Sequence, residues 1–275
     1  MSLNRHSRSE KIIVTAGMIF FTLFSRSLIW SSELLNTADA FDTGEWQLTL
    51  SGQSIEKEPV VDVKEANIIQ VPITGGSANL FSKANAEIEM EIQYKTVVAA
   101  LTIRPKNGLH YRVKVGQVRN FELEFSSGSL VNSLKAESDG VLWGVGLRWN
   151  GSPSTLVSAG VALDLSYTQT RVDLDRFQSG TSVSAVDERY VEDEIQGAIN
   201  VSRRFKTIEP YGGLKISRTI SRLKDKKSKQ SVRGEKDGVS PFLGISYEPF
   251  EKERFVVEVS FVDEKLFSAG WNLKF

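Results

Sequence analysis

The sequence predicts an all-β chain closed into a transmembrane antiparallel up-and-down β-barrel, with ten strands preferred and eight next. Three observations predict it. Apolar residues recur with a period of two along most of the chain, and the connections between those segments tend to alternate between short and long. Beyond the N-terminal region, no run of 18 or more apolar residues offers a helix able to span a bilayer.

Composition narrows the function classes. The chain has 275 residues, 34 Lys+Arg against 34 Asp+Glu, 40% hydrophobic residues and no Cys. Zero net charge argues against a dedicated nucleic-acid binder. The missing Cys excludes a disulfide scaffold, a thiolate metal site, a Cys nucleophile and an N-terminal lipid-modified Cys. No Walker loop, dinucleotide Gly motif or zinc-ligand spacing is present, so no cofactor and no metal is expected.

Residues 1–40 read as a signal peptide. Arg5, Arg8 and Lys11 precede a 13-residue apolar core at 12–24, and Ala38-Asp39-Ala40 supplies an A-x-A cleavage pattern. The alternative is a single N-terminal anchor helix, against which Arg26 and the A-x-A site stand. The remainder, 41–275, reads as the barrel.

Trp46, Leu48 and Leu50 mark a first strand. The stretch 53–86 reads as a long outer loop, with room for an extra hairpin, a lid or a plug. Ile88, Met90, Ile92 and Tyr94 then alternate with Glu87, Glu89, Glu91 and Gln93, and 104–108 (RPKNG) is a tight turn. Over 109–125 the residues Leu109, Tyr111, Val113, Val115, Phe121, Leu123 and Phe125 share one face, with His110, Arg112 and Lys114 on the other. Further long outer loops are expected near 126–139, 171–189 and 222–238. Between them lie alternating segments at 141–149, 157–167, 191–205, 208–220 and 239–247, joined by short turns at 150–154 and 205–208. Phe255, Val257, Val259 and Phe261 form a penultimate strand. Phe267, Ala269, Trp271, Leu273 and Phe275 form the last. Nine such strands after residue 86, plus the one at 45–51, make the even number that an antiparallel barrel with both ends on one side requires.

The last ten residues, LFSAGWNLKF, resemble the C-terminal signature of bacterial outer-membrane β-barrel proteins, which end on an aromatic residue preceded by alternating apolar ones. Phe267, Ala269, Trp271, Leu273 and Phe275 match that pattern. The resemblance implies residence in the cell outer membrane, contact with outer-membrane lipid and lipopolysaccharide, and assembly by the barrel-assembly machinery. It names no subfamily, and a monomer is expected.

In lipid every backbone polar group must be paired internally, so apolar strand faces point outward and polar faces line the interior. Trp143, Trp149, Tyr111, Phe125, Tyr167, Phe205, Tyr211, Tyr247, Phe255 and Trp271 are the candidates for two aromatic girdles. Arg112, Lys114, Arg148, Asp164, Lys215 and Glu258 are expected to form a barrel-interior charge network, with Glu87, Glu89, Glu91, Lys95, Glu192 and Glu194 on the same polar faces. Inward Gly144, Gly146, Gly160, Gly244 and Gly270 leave room for bulky neighbours. Paired charges of both signs suit a plug better than a selective pore. No catalytic residue is expected: His110 is the only His after residue 40 and lies near the inner rim. The expected role is therefore structural or that of a narrow porin-like conduit, without enzymatic activity. Two rivals stand beside it: a lipid- or peptide-hydrolysing barrel enzyme, and a surface adhesin or ligand-binding protein that uses the long loops.

Overall fold

The computed structural model describes residues 46–57, 60–66, 69–73, 76–80, 87–105, 109–127, 130–136, 139–151, 159–179, 181–227 and 231–275. The segment read as a signal peptide, 1–40, lies outside the described residues.

Among the described residues the chain forms fourteen strands. They are β1 (Trp46–Lys57), β2 (Val60–Ala66), β3 (Ile69–Ile73), β4 (Gly76–Leu80), β5 (Glu87–Ile103), β6 (Leu109–Ser127), β7 (Leu130–Lys135), β8 (Gly140–Gly151), β9 (Gly160–Ser179), β10 (Ser182–Ser202), β11 (Ile208–Asp225), β12 (Ser231–Phe250), β13 (Glu253–Ser260) and β14 (Glu264–Lys274). Ten of them close a ring of antiparallel neighbours: β1, β5, β6, β8, β9, β10, β11, β12, β13, β14 and back to β1. Closure runs through the C-terminal strand, where Leu50 pairs with Trp271 and Leu48 with Leu273. β3 and β4 pair with each other as a separate hairpin.

The strands differ greatly in length, and this shapes the outer end. β10 runs 21 residues, whereas β13 runs 8. Where β8 stops, β7 takes its place between β6 and β9. Where β13, β14 and β1 stop, β2 alone bridges β12 and β5. The ten-stranded base thus narrows to a second closed ring of eight: β2, β5, β6, β7, β9, β10, β11 and β12.

The two levels have opposite interiors. At the base the outward positions are apolar, for example Val113, Val115, Val145, Leu147, Leu165, Ile199, Ile216 and Leu243, all exposed. On β8 this band runs from Val141 to Trp149 and covers roughly 30 Å along the strand, the order of a tilted membrane span. At the outer end the inward positions are apolar instead. Ile92, Tyr94, Phe121, Leu123, Phe125, Leu134, Leu174, Phe177, Tyr190 and Leu223 pack into one buried core. Eight strands enclose just the width that side chains can fill.

β6 shows how one strand serves both environments. A register shift gives β6 one residue more than β5 between Arg119↔Lys95 and Glu122↔Gln93. Asn120 takes the extra position with φ 51°, a left-handed conformation that Asn tolerates. Adding one residue to a period of two swaps the faces. Tyr111, Val113 and Val115 therefore point out, and Phe121, Leu123 and Phe125 point in.

Several expectations are corrected here. Leu109–Val115 and Phe121–Phe125 do not share a face. Phe125 belongs to the inner core rather than a girdle, and Tyr211 also points inward, 4% exposed. Ile92 and Tyr94 are inward on β5, while Glu91, Gln93 and Lys95 take its outward positions. The stretches 171–189 and 222–238, expected as loops, are mostly strand. β9 and β10 run to Ser179 and from Ser182, and β11 and β12 run to Asp225 and from Ser231. Their outward faces are charged because they stand above the apolar band, so they resemble solvated loops in composition. Within 53–86 lie the end of β1 and all of β2, β3 and β4; within 126–139 lies β7.

Candidate functional site: the barrel interior

The interior is built in layers. In the base, the six residues expected to form a charge network all occupy inward positions. Arg148 on β8 pairs with Asp164 on β9 at 3.5 Å, with both side chains buried. Lys215 on β11 faces Glu258 on β13 at 3.7 Å, and Glu258 is fully buried. The Tyr211 hydroxyl donates to Glu258 at 2.9 Å, and the Lys215 ammonium sits 5.8 Å from the Phe242 ring. Arg112 lines a small inner hollow with His110, Arg148 and Asp164. Lys114 lies across Gly144, and the Tyr211 ring lies across Gly244; a Cβ at either glycine would collide with that neighbour. These glycines thus seat long side chains across the lumen.

Near the inner rim lies a second set of pairs that the sequence reading missed. Arg254 bridges Glu209 (3.8 Å) and Glu248 (3.2 Å), and Lys274 and Arg204 also reach Glu248, at 3.0 and 2.5 Å. For Glu209, Glu248, Arg254 and Lys274 the signal was parity, each being an inward position on its strand; Arg204 lies in the exposed turn between β10 and β11. His110 is buried and lies opposite Arg148 in the β6–β8 register. Asp164, the carboxylate lining the same hollow, is engaged by Arg148.

Toward the outer end, Lys57 at the tip of β1 sits between Glu192 and Glu194 of β10, 3.0 Å from each. The Tyr190 hydroxyl donates to Glu192 at 2.6 Å. Lys57 also escaped the sequence reading, because the first strand was ended at Ser51. Above this pair the apolar core closes the axis. Phe121 stacks on Tyr94 at 5.7 Å and tilts against Tyr190 at 4.9 Å.

On the outside, Trp143 and Tyr167 meet edge to face at 5.5 Å. Both send their polar tips to a belt at the upper border of the apolar band: Trp143 donates to Gln169 at 3.1 Å and Tyr167 to Asp193 at 2.6 Å. Rings with one wet end are suited to such a boundary. Of the C-terminal signature residues, Phe267, Ala269, Trp271, Leu273 and Phe275 alternate with the inward Leu266, Ser268, Gly270 and Asn272, and Phe275 is exposed. Ala269 is buried among its neighbours Gly52 and Val257.

Geometry of this kind defines a closed β-barrel with an apolar belt outside, ion pairs across its lumen and an apolar stopper at one end. No family model matches the chain. No curated protein matches it either. Among solved structures, the translocator domain of the autotransporter NalP from Neisseria meningitidis aligns over 97% of this chain and 97% of its own, at 12% identity and a TM-score of 0.40. Ail, the attachment invasion locus protein of Yersinia pestis, aligns over 85% of this chain and all of its own (11% identity, TM-score 0.31). The toluene transporter TodX of Pseudomonas putida aligns over 90% and 93% (9% identity, TM-score 0.31). None of these alignments reaches a TM-score of 0.5, so the architecture rests on the strand pairing itself.

Proposed function

We propose that this chain is a bacterial outer-membrane β-barrel protein with a structural role, closed to axial flow and without an enzymatic centre. One observation carries the reading: the ten-stranded base is overlaid by an eight-stranded ring filled with a continuous apolar core. Water and ions crossing the axis would have to displace Phe121, Tyr190 and Leu134, each at most 2% exposed. The exposed band over β5–β14 supports the membrane location, because a soluble protein rarely leaves so wide an apolar surface bare. The ion pairs beneath it join charges of opposite sign inside the lumen, as fits a plug. Outer-membrane lipid and lipopolysaccharide are its surroundings. The C-terminal strand ending on Phe275 is its handle for the barrel-assembly machinery, and it works as a monomer.

Fractionation of cells expressing the full chain tests this. The expected result is recovery in the outer-membrane fraction, with an electrophoretic mobility that changes on boiling. Recovery as a soluble periplasmic protein would overturn the reading. A surface-binding role is the second reading, favoured by the strands of β9–β12 that project above the apolar band.

A further inference from the structure

A charged side chain stands on β10 within the apolar outward face. Asp193 marks the upper border of the band on this strand, and Ile195, Ile199 and Val201 follow it, all exposed. Arg203 comes next, also exposed, and then Phe205. From Ile195 to Phe205 is roughly 33 Å along the strand, so Arg203 lies close to the inner border of a tilted membrane span. Its neighbours across the sheet are apolar. The Arg203 amide donates to the Pro210 carbonyl at 3.2 Å, Pro210 pairs with Ile245, and Ile245 pairs with Val257. The next row toward the rim is mostly aromatic: Phe205 bridges to Ile208, followed by Tyr247, Phe255 and Trp271.

Among the described residues, no carboxylate pairs with Arg203. Its guanidinium rests over the Phe205 ring, 5.2 Å from the centroid. Lys206, exposed at the tip of the same turn, has no ion pair among the described residues either. The turn holds both cations in place. Phe205 and Ile208 exchange both backbone hydrogen bonds, at 2.7 and 3.0 Å, and Lys206 takes φ 57° between them. The Glu248 amide of β12 donates to the Thr207 carbonyl at 2.8 Å, and Arg204 Nε donates to the Lys206 carbonyl at 3.1 Å. Glu209 and Glu248, on the adjoining parts of β11 and β12, are buried on the lumen side and held by Arg254, Lys274 and Arg204. A guanidinium left on a lipid-facing surface calls for an anion from elsewhere.

We propose that Arg203 and Lys206 hold the phosphate of an anionic phospholipid, of the phosphatidylglycerol type, in the inner leaflet. The proposal rests on the outer-membrane reading above, in which the rim beside Phe275 faces the periplasm. The guanidinium offers paired N–H donors that match two phosphate oxygens, and the Phe205 face steadies it. Lys206 adds a second positive charge, and the exposed Thr207 a hydroxyl for the glycerol head. A head group with an ammonium of its own brings a third positive charge to the same turn, so phosphatidylethanolamine is disfavoured. The acyl chains of the bound lipid lie along Val201, Ile199 and Ile195. Arg203 stands among lipid-facing side chains rather than in the lumen, which favours a lipid over the carboxylates of the cell wall.

Native mass spectrometry of the full chain, refolded in detergent and offered equal amounts of phosphatidylglycerol and phosphatidylethanolamine, counts the lipid retained. The unaltered protein is expected to prefer phosphatidylglycerol on the order of tenfold. Arg203→Gln and Lys206→Gln should each lower that preference about threefold, and together bring it close to parity. Arg203→Lys should keep most of it, and Arg218→Gln, at the upper border, should leave it unchanged. Soluble muropeptides are offered in the same way. Equal retention of the two lipids by the unaltered protein, a preference that survives the double substitution, or muropeptide retained in place of lipid and lost with the same two cations would overturn the proposal. Boiling-dependent mobility separates the two levels of the argument. Its absence from the unaltered chain would overturn the outer-membrane reading and the site with it, whereas lipid counts on a chain that shows it decide the site alone.

Discussion

Glu258 and Lys215 offer a test of how the lumen is held together. Both are almost fully buried in the base, 3.7 Å apart. Glu258→Gln keeps an acceptor for the Tyr211 hydroxyl and removes only the charge. Lys215 is then left with Ser260 at 3.4 Å and the Phe242 ring as its partners. Removing one member of a buried pair costs about 3–5 kcal/mol because the other charge stays uncompensated. The retained hydrogen bond and the ring contact place this case at the lower end, about 3 kcal/mol, or on the order of a hundredfold in the folding equilibrium. Lys215→Met alone removes the ammonium partner of Glu258 and is expected to cost about as much. The double substitution removes both charges and is expected to cost about 1 kcal/mol or less, giving a coupling of several kcal/mol. The assay is urea unfolding of the refolded barrel in lipid, followed by tryptophan fluorescence. If Glu258→Gln shifts stability by less than about 1 kcal/mol, or if the two single costs simply add, the lumen is wet at this level and the reasoning fails.

Other consequences follow from the same layers. Phe121→Ala, which opens a hole against Tyr94 and Tyr190, is expected to cost about 3–5 kcal/mol and to lower the temperature at which gel mobility changes. Gly244→Val places a side chain where the Tyr211 ring lies and breaks its bond to Glu258; refolding yield on gels is expected to fall sharply, and Tyr211→Ala should restore part of it. Glu188, near the outer end of β10, is 4% exposed, and its carboxyl is pushed up to about 7 by burial, with Asp225 and Asp187 adding to it. Its protonated form therefore suits the fold. The part of the stability that depends on Glu188 should be undiminished below pH 4.5 and decline as pH rises toward 7. Glu188→Gln should stabilise by up to about 3 kcal/mol at pH 8 and by almost nothing at pH 4, read from urea midpoints.

Much of the barrel was legible because period two is written plainly along the chain. Val141 to Trp149 and Leu163 to Tyr167 have the outward faces their alternation implied. Lys215 and Glu258 stood at inward positions for the same reason. What alternation cannot convey is which face is inward once the surroundings change. Phe121, Leu123 and Phe125 continue the apolar parity of Val113 and Val115, and only the extra residue at Asn120 turns them into the core. That bulge has no sequence mark beyond one Asn. The stretches 171–189 and 222–238 were misread for a related reason. Above the lipid band a strand turns charged residues outward, as a loop does. Parity also placed Tyr211 inside, opposite Ile208 and Leu214, although its ring suggested a girdle. The pairing of Lys57 depends on which strands stop short, a property of pairing across more than a hundred residues that local pattern does not carry.

The central claim is that the barrel is sealed along its axis. Conductance of the refolded full-length barrel in a planar lipid bilayer tests it most directly. The account predicts insertion without stable conductance steps, and the appearance of steps when Phe121, Leu134 and Tyr190 are together replaced by Ala. Steady, ohmic conductance from the unaltered protein would contradict it.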